Sequence, residues 1–122
     1  MPIFSHNRFT ALITETFDQV QRLSDIKGAE YSGDTDRLLN FRRNAQDLDL
    51  TMEQIWRVYA AKHWDAIGQY VRDQAKGVER RRLEGLDGRC DDLITYLLLF
   101  KAMLVERAEA NMSYVPSGNK IG

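Results

Sequence analysis

Cysteine is nearly missing from this chain: Cys90 stands alone in 122 residues. One thiol cannot close an internal disulfide, so packing and polar contacts must hold the fold, and a reducing compartment fits. Charge of one sign is missing too. The formal net charge is -1, so no global field draws the protein to nucleic acid or to a membrane surface, and any basic site must be local. The longest apolar run, residues 93–100, holds a threonine and a tyrosine and falls well short of the roughly 20 residues that span a bilayer. The N-terminus lacks a signal peptide's apolar core. These absences predict a cytoplasmic protein with no membrane and no nucleic-acid partner.

The chemistry is as restricted. His6 and His63 are the only histidines, and no His-x-x-x-His metal spacing exists. No glycine-rich phosphate loop occurs, and Cys90 has no histidine in an activating context. No residue is assigned a catalytic or metal-binding role on these grounds. No segment alternates with the strand period of two, and no repeat or low-complexity tract is present.

What is there reads as helix. The hydrophobic share is 43% and the charged share 29%, a balance that suits one globular domain. Phe9, Leu12, Ile13, Phe17, Val20 and Leu23 recur at three and four, predicting a helix from about Ser5 to Lys27 that Gly28 ends. A polar stretch, Glu30-Tyr31-Ser32-Gly33-Asp34-Thr35-Asp36, follows. A short helix is expected from Thr35 or Asp36, with Leu38, Leu39 and Phe41 facing inward. Thr51-Met52-Glu53-Gln54 is a capping box, flanked by Leu50 and Ile55 as a hydrophobic staple. It opens a helix reaching about Gln74. Residues 77–88 read as a loop, in which Arg80-Arg81-Arg82 lies between Glu79 and Glu84 as a solvated charge run. A last helix starts near Asp87 or Gly88 and ends near Asn111. The expected architecture is all-α, a helical bundle of three longer helices and one short one. Residues 1–112 form the domain and 113–122 a C-terminal tail.

The last helix carries one more implication. Leu93, Ile94, Leu97, Leu98, Leu99, Phe100, Met103, Leu104 and Val105 cover almost its whole circumference. A helix apolar all round must be buried all round, which three other helices of so short a chain can hardly achieve. A second copy is expected to cover the rest, making a homo-oligomer.

Three polar clusters stand out against this background. The first is Glu30, Tyr31, Asp34, Asp36, Arg37 and Asn40, with Phe41 adjoining. The second is Lys62 and His63 with Asp65, set among apolar stripes. The third is Arg89, Asp92 and Tyr96, on one helix face at i, i+3 and i+7. Each has a plainer structural reading. Asp36 suits a helix cap, Lys62 a snorkelling side chain and His63 a satisfied core histidine, and Arg89 with Asp92 an intrahelical ion pair. Taken together they stock a nucleotide site. Arg37, Lys62 and Arg89 offer donors to phosphate. Tyr31, Phe41, Trp56 and Tyr96 offer flat faces to a base. Asn40 and the carboxylates suit base or ribose edges.

The order Glu-Tyr-x-Gly-Asp-x-Asp-Arg-x-x-Asn-Phe (30–41), then Thr51, Gln54 and Lys62-His63, then Asp-x-x-x-Tyr-Leu (92–97), resembles a group of small phage and prophage proteins. These look like distant relatives of the MazG-like all-α nucleotide pyrophosphatases. The likeness covers roughly residues 25–107. It implies a nucleotide ligand and, in the pyrophosphatases, Mg²⁺ held by Glu-Glu-x-x-Glu and Glu-x-x-Asp on two helices. This chain departs from that pattern at the metal. Its third helix carries Lys62, His63 and a lone Asp65 instead of the acidic motif, and the second motif reads Arg89-x-x-Asp92. Cations replace the carboxylates that would charge a Mg²⁺ shell. The expectation is metal-independent binding of a nucleotide-derived ligand without efficient hydrolysis. In a phage setting this suggests a sponge that sequesters a host immune signal, such as a cyclic ADP-ribose derivative or a cyclic dinucleotide. The alternatives are a divergent Mg²⁺-dependent pyrophosphatase using Glu30, Asp34, Asp36 and Asp92, and a non-catalytic helical interaction module.

Overall fold

The structure is a computed structural model and describes residues 2–31, 36–82 and 85–112. Four helices make it up: α1 (His6–Tyr31), α2 (Leu39–Leu48), α3 (Met52–Ala75) and α4 (Leu86–Met112). Among the described residues there is no strand. The class is all-α, with three long helices and one short. Among the described residues no helix is long and apolar enough to cross a membrane.

Local chemistry sets the helix starts. The Arg8 N–H donates to Ser5 Oγ at 3.0 Å, so Ser5 caps α1. At α3 both halves of the capping box form: the Gln54 N–H donates to Thr51 Oγ1 at 3.1 Å and the Thr51 N–H to Gln54 Oε1 at 2.8 Å. Two expected boundaries move. α1 does not end at Gly28 but runs through to Tyr31. A glycine inside a helix costs only about 1 kcal/mol and ends it only where the backbone turns left-handed. α2 begins at Leu39, later than expected, because Asp36 makes a turn first. Its carboxylate accepts from the Leu38 N–H at 3.0 Å and its carbonyl from the Leu39 N–H at 3.2 Å. Residues 32–35 and the tail at 113–122 lie outside the described residues.

Two helix ends close in the same way. Asp49 takes left-handed backbone (φ 54°) after α2 and Gly77 (φ 69°) after α3. In each case the next residue's N–H reaches back to a carbonyl in the last turn. Leu50 donates to Ala45 at 2.9 Å and Val78 to Asp73 at 2.9 Å.

α3 packs against both α2 and α4, and α1 packs against α4. The core is small. Leu38, Phe41, Ile55 and Met103 form its buried centre, with Met52, Trp56 and Leu99 packed around them. Met103 is completely enclosed. One copy of the chain does not bury α4 all round. Met103 is covered, but Leu97, Leu98, Leu104 and Val105 on the far side stay exposed.

Two charged clasps hold the fold, one between helices and one at the end of α3. Arg42 on α2 binds Asp36 (Nε to Oδ2, 2.8 Å) and bridges to Glu106 on α4 through both terminal nitrogens. Arg42 accordingly holds the Asp36 and Glu106 carboxyls below their usual range. The second clasp corrects the expectation for residues 80–82, which are not simply solvated. Arg80 (Nε to Oδ2, 2.8 Å) and Arg82 (Nη2 to Oδ2, 3.1 Å) both donate to the buried Asp73 carboxylate. The Arg82 guanidinium also stacks 5.1 Å over the Tyr70 ring. Of the three arginines only Arg81 is left exposed without a described partner.

Candidate functional site

A cavity of about 460 Å³ opens between the helices. Its walls follow from the helix faces. On α1, Leu23, Ser24 and Lys27 lie one turn apart and point inward together. The turn before α2 supplies Arg37, and α2 supplies Asn40 and Phe41. From α3 come Tyr59, Lys62 and His63, at three and four residue spacings. From α4 come Asp92, Thr95, Tyr96 and Leu99, again at helical spacing.

Seven residues expected from the sequence therefore meet in one place: Arg37, Asn40, Phe41, Lys62, His63, Asp92 and Tyr96. Two others, Asp36 and Arg89, do not line the cavity. The backbone of Glu30 and Tyr31 falls in the last turn of α1, while their side chains, like Asp34, lie outside what is described. Asp36 is drawn the other way, onto Arg42. Arg89 stands behind the wall, its Nη1 3.1 Å from His63 Nδ1. Trp56 is also not part of the lining. It packs with the core and donates from Nε1 to the Tyr96 carbonyl at 2.6 Å, its ring 4.8 Å from Phe100.

Lys27, Ser24 and Tyr59 are lining residues that the sequence reading missed. The signal for the first two was present. Lys27 and Ser24 continue the Val20 and Leu23 stripe of α1, so a cation at the end of an apolar stripe was marked for an inward position. Tyr59 lies one turn from Lys62 on α3 and shares its face.

The electrostatics are lopsided. Among the described residues three cations, Lys27, Arg37 and Lys62, line the cavity against one carboxylate, Asp92. Lys27 Nζ lies 3.4 Å from Asp92 Oδ1. Arg37 donates from Nη2 to Ser24 Oγ at 2.9 Å and makes no ion pair among the described residues. Lys62 is exposed and has neither hydrogen bond nor ion pair among them. His63 is buried beneath, with Nδ1 3.6 Å from Asp92 Oδ2. A guanidinium can only donate. In its contact with Arg89, His63 Nδ1 is therefore on the accepting side. Burial, then the neighbouring Asp87 and Asp92 carboxylates, raise the Asp91 pKa at this end of α4.

Aromatic rings line the apolar side. Phe41 meets Tyr59 at 6.2 Å between centroids and Tyr96 edge-on at 6.5 Å, and Tyr96 meets His63 at 5.4 Å. These distances lie within the range of favourable ring pairs. They make one continuous aromatic surface from α3 through α2 to α4.

A Mg²⁺ ion would need several oxygen ligands in a fixed shell. Among the described residues no three His, Cys, Asp or Glu side chains stand close enough to share a metal. Asp92, the carboxylate in the lining, already faces Lys27 and sits beside His63. The described residues do not fit that ion. What they do fit is an anion beside a flat ring. Comparison of the chain with protein-family models, with curated proteins and with solved structures found no match.

Proposed function

We propose that the protein binds a nucleotide-derived small molecule in this cavity, without a metal ion, and holds it without cleaving it. One observation carries the reading: Lys27, Arg37 and Lys62 converge on a cavity whose other wall is the Phe41, Tyr59, Tyr96 and His63 ring surface. Cations neutralise phosphate by charge-assisted hydrogen bonds, and the rings stack a base. Asn40 suits base or sugar edges, and Asp92 orients Lys27 or accepts from a hydroxyl. The cavity volume falls within the range of small-molecule sites. The resemblance to phage proteins extends this to sequestration of a host nucleotide signal, such as a cyclic ADP-ribose derivative or a cyclic dinucleotide. A second copy, covering the exposed leucines of α4, completes the proposed homo-oligomer.

Calorimetry against a panel of linear and cyclic nucleotides, in Mg²⁺ and in EDTA, tests this. Binding that persists in EDTA, with the ligand recovered intact, is the expected result. Release of phosphate or pyrophosphate that requires Mg²⁺ would identify a divergent pyrophosphatase instead. No binding across the panel would leave a helical interaction module.

A further inference from the structure

Among the described residues Asn40 is the one amide in the cavity lining, and its orientation is set from behind. Asn44, one turn further along α2, is not part of that lining. Its Nδ2 stands 2.9 Å from the Asn40 backbone oxygen and 3.4 Å from Asn40 Oδ1. A backbone carbonyl only accepts, so the Asn44 atom at that point is its nitrogen. An NH2 group only donates, so the Asn40 atom turned toward it is the amide oxygen. Asn40 Oδ1 is thus spent along the helix. Asn40 Nδ2 makes no hydrogen bond among the described residues and is left for the cavity.

The surroundings have the same polarity. Arg37, three positions before Asn40, and Lys62 on α3 can only donate. Asp92, the carboxylate among the described lining residues, already faces Lys27 at 3.4 Å. A ligand filling this space has to bring acceptors twice over, anionic oxygens for the cations and another for the amide. Asn40 directly precedes Phe41, which is buried and packs on Tyr59, and the Tyr59 ring keeps 37% of its surface open. An asparagine reads adenine through two bonds at once, its oxygen taking the exocyclic N–H and its nitrogen donating to N7. With Oδ1 held by Asn44, that pairing loses its accepting half. A keto oxygen needs only the donor: O6 of guanine or hypoxanthine, O4 of uracil. We infer, on the reading of the cavity as a nucleotide site, that Asn40 selects a base with a keto oxygen over one with an amino group, and that Asn44 is its positioning residue.

Arg37, Asn40 and Asn44 stand at i, i+3 and i+7, so cation, reader and positioner follow one another along one side of α2 and the turn before it. The two ends of an amide have nearly the same size. Without Asn44 nothing described holds Asn40 one way round, and a base of either kind can turn it to suit. Among the signals named above, the inference favours a guanine cyclic dinucleotide over a ligand built on adenine.

The test is calorimetry of the full chain in EDTA with two matched pairs, inosine and adenosine 5′-diphosphate, and uridine and cytidine 5′-diphosphate. Sugar and phosphates are the same within a pair, so the ratio of dissociation constants reports the base edge alone. Agreement between a purine and a pyrimidine pair excludes ring size as the cause. The native protein should bind the keto member of each pair at least about fivefold tighter, the worth of one hydrogen bond made against one opposed. Asn40→Ala should bring both ratios to about one, and Asn40→Asp, which only accepts, should invert them. Asn44→Ala should shrink both ratios by tightening the amino members while the keto members hold; a merely structural role would weaken all four alike. Native ratios near one, a native preference for the amino members, or ratios that survive Asn40→Ala would overturn the inference and leave the nucleotide site standing. Binding of none of the four would remove the nucleotide reading, and the inference with it.

Discussion

Lys27 and Asp92 face each other across the cavity mouth, Nζ to Oδ1 at 3.4 Å, joining the end of α1 to the start of α4. The carboxylate in the lining thus offsets the charge of one lining cation before any ligand arrives. Removing it frees that cation. Asp92→Asn should tighten binding of a phosphate-bearing nucleotide about three- to tenfold, or roughly 0.7–1.4 kcal/mol, the size of a partly exposed pair. Calorimetry at low and high salt reads this, and the gain should shrink as salt screens it. Weaker binding at every salt concentration would contradict it.

Arg37 and Lys62 approach the cavity from different elements and carry no described carboxylate partner. Arg37→Ala or Lys62→Ala should each weaken nucleotide binding by about 1.5–3 kcal/mol, as loss of a charged hydrogen bond does. Arg57→Ala, at an exposed position of α3 outside the cavity, should leave affinity unchanged. Unchanged affinity in both cavity variants would move the site elsewhere.

Asp73 closes the end of α3. Arg80 first, with Gln69 and Arg82, holds its carboxyl down at about 2 against the usual carboxylate range. A depressed folded pKa contributes stability that is complete above the unfolded value and fades as pH falls through the folded one. The native protein should therefore lose stability between about pH 4 and pH 2 in denaturant titrations. Asp73→Asn should start lower at neutral pH and lack that part of the decline. An unaltered pH profile in the variant would show that the clasp contributes nothing.

Three glycines separate backbone from packing effects. Gly77 has φ +69°, and a Cβ there would touch nothing within 4 Å. Gly77→Ala should cost about 1 kcal/mol through backbone strain alone. Gly88 sits inside α4 with equally open space and no unusual φ. Gly88→Ala should stabilise by about 0.5–1 kcal/mol. Gly85→Ala, just before the helix, also has open space and should be close to neutral. Urea unfolding midpoints rank the three, and a reversed order would rule out the backbone argument.

Among the described residues Met103 alone has no exposed surface, in a core this small. Met103→Ala should cost about 2–5 kcal/mol. A domain of this size has a total stability of about 5–15 kcal/mol, so thermal unfolding should move by many degrees.

How much of this was legible beforehand depends on how local the physics is. The start of α3 was written in four residues, because Thr51 and Gln54 satisfy each other's backbone donors without help from elsewhere. The meeting of Arg37, Lys62, His63 and Asp92 was foreseen only as an outcome of their number in a short chain. The α1 stripe marks Lys27 as inward-facing, but its partner Asp92 lies 65 positions away, and no local pattern encodes that pairing. Asp36 looked like ligand chemistry although its partner Arg42 is only six positions on; what was hidden is that the same arginine reaches Glu106, 64 positions further. Gly28 misled for the opposite reason: a local rule was applied where the backbone keeps its ordinary helical shape.

Trp56 donates its indole hydrogen to the backbone of Tyr96, whose ring faces the cavity, whereas Trp64 is largely exposed at 68%. The chain therefore carries two indole fluorophores in opposite settings. One is partly buried, a single hydrogen bond behind the ring surface, and the other is bathed in water. Replacing Trp64 by phenylalanine leaves one emitter, at the seam between core and cavity. Occupancy can then be followed in real time, without a label, by the colour and intensity of that remaining tryptophan.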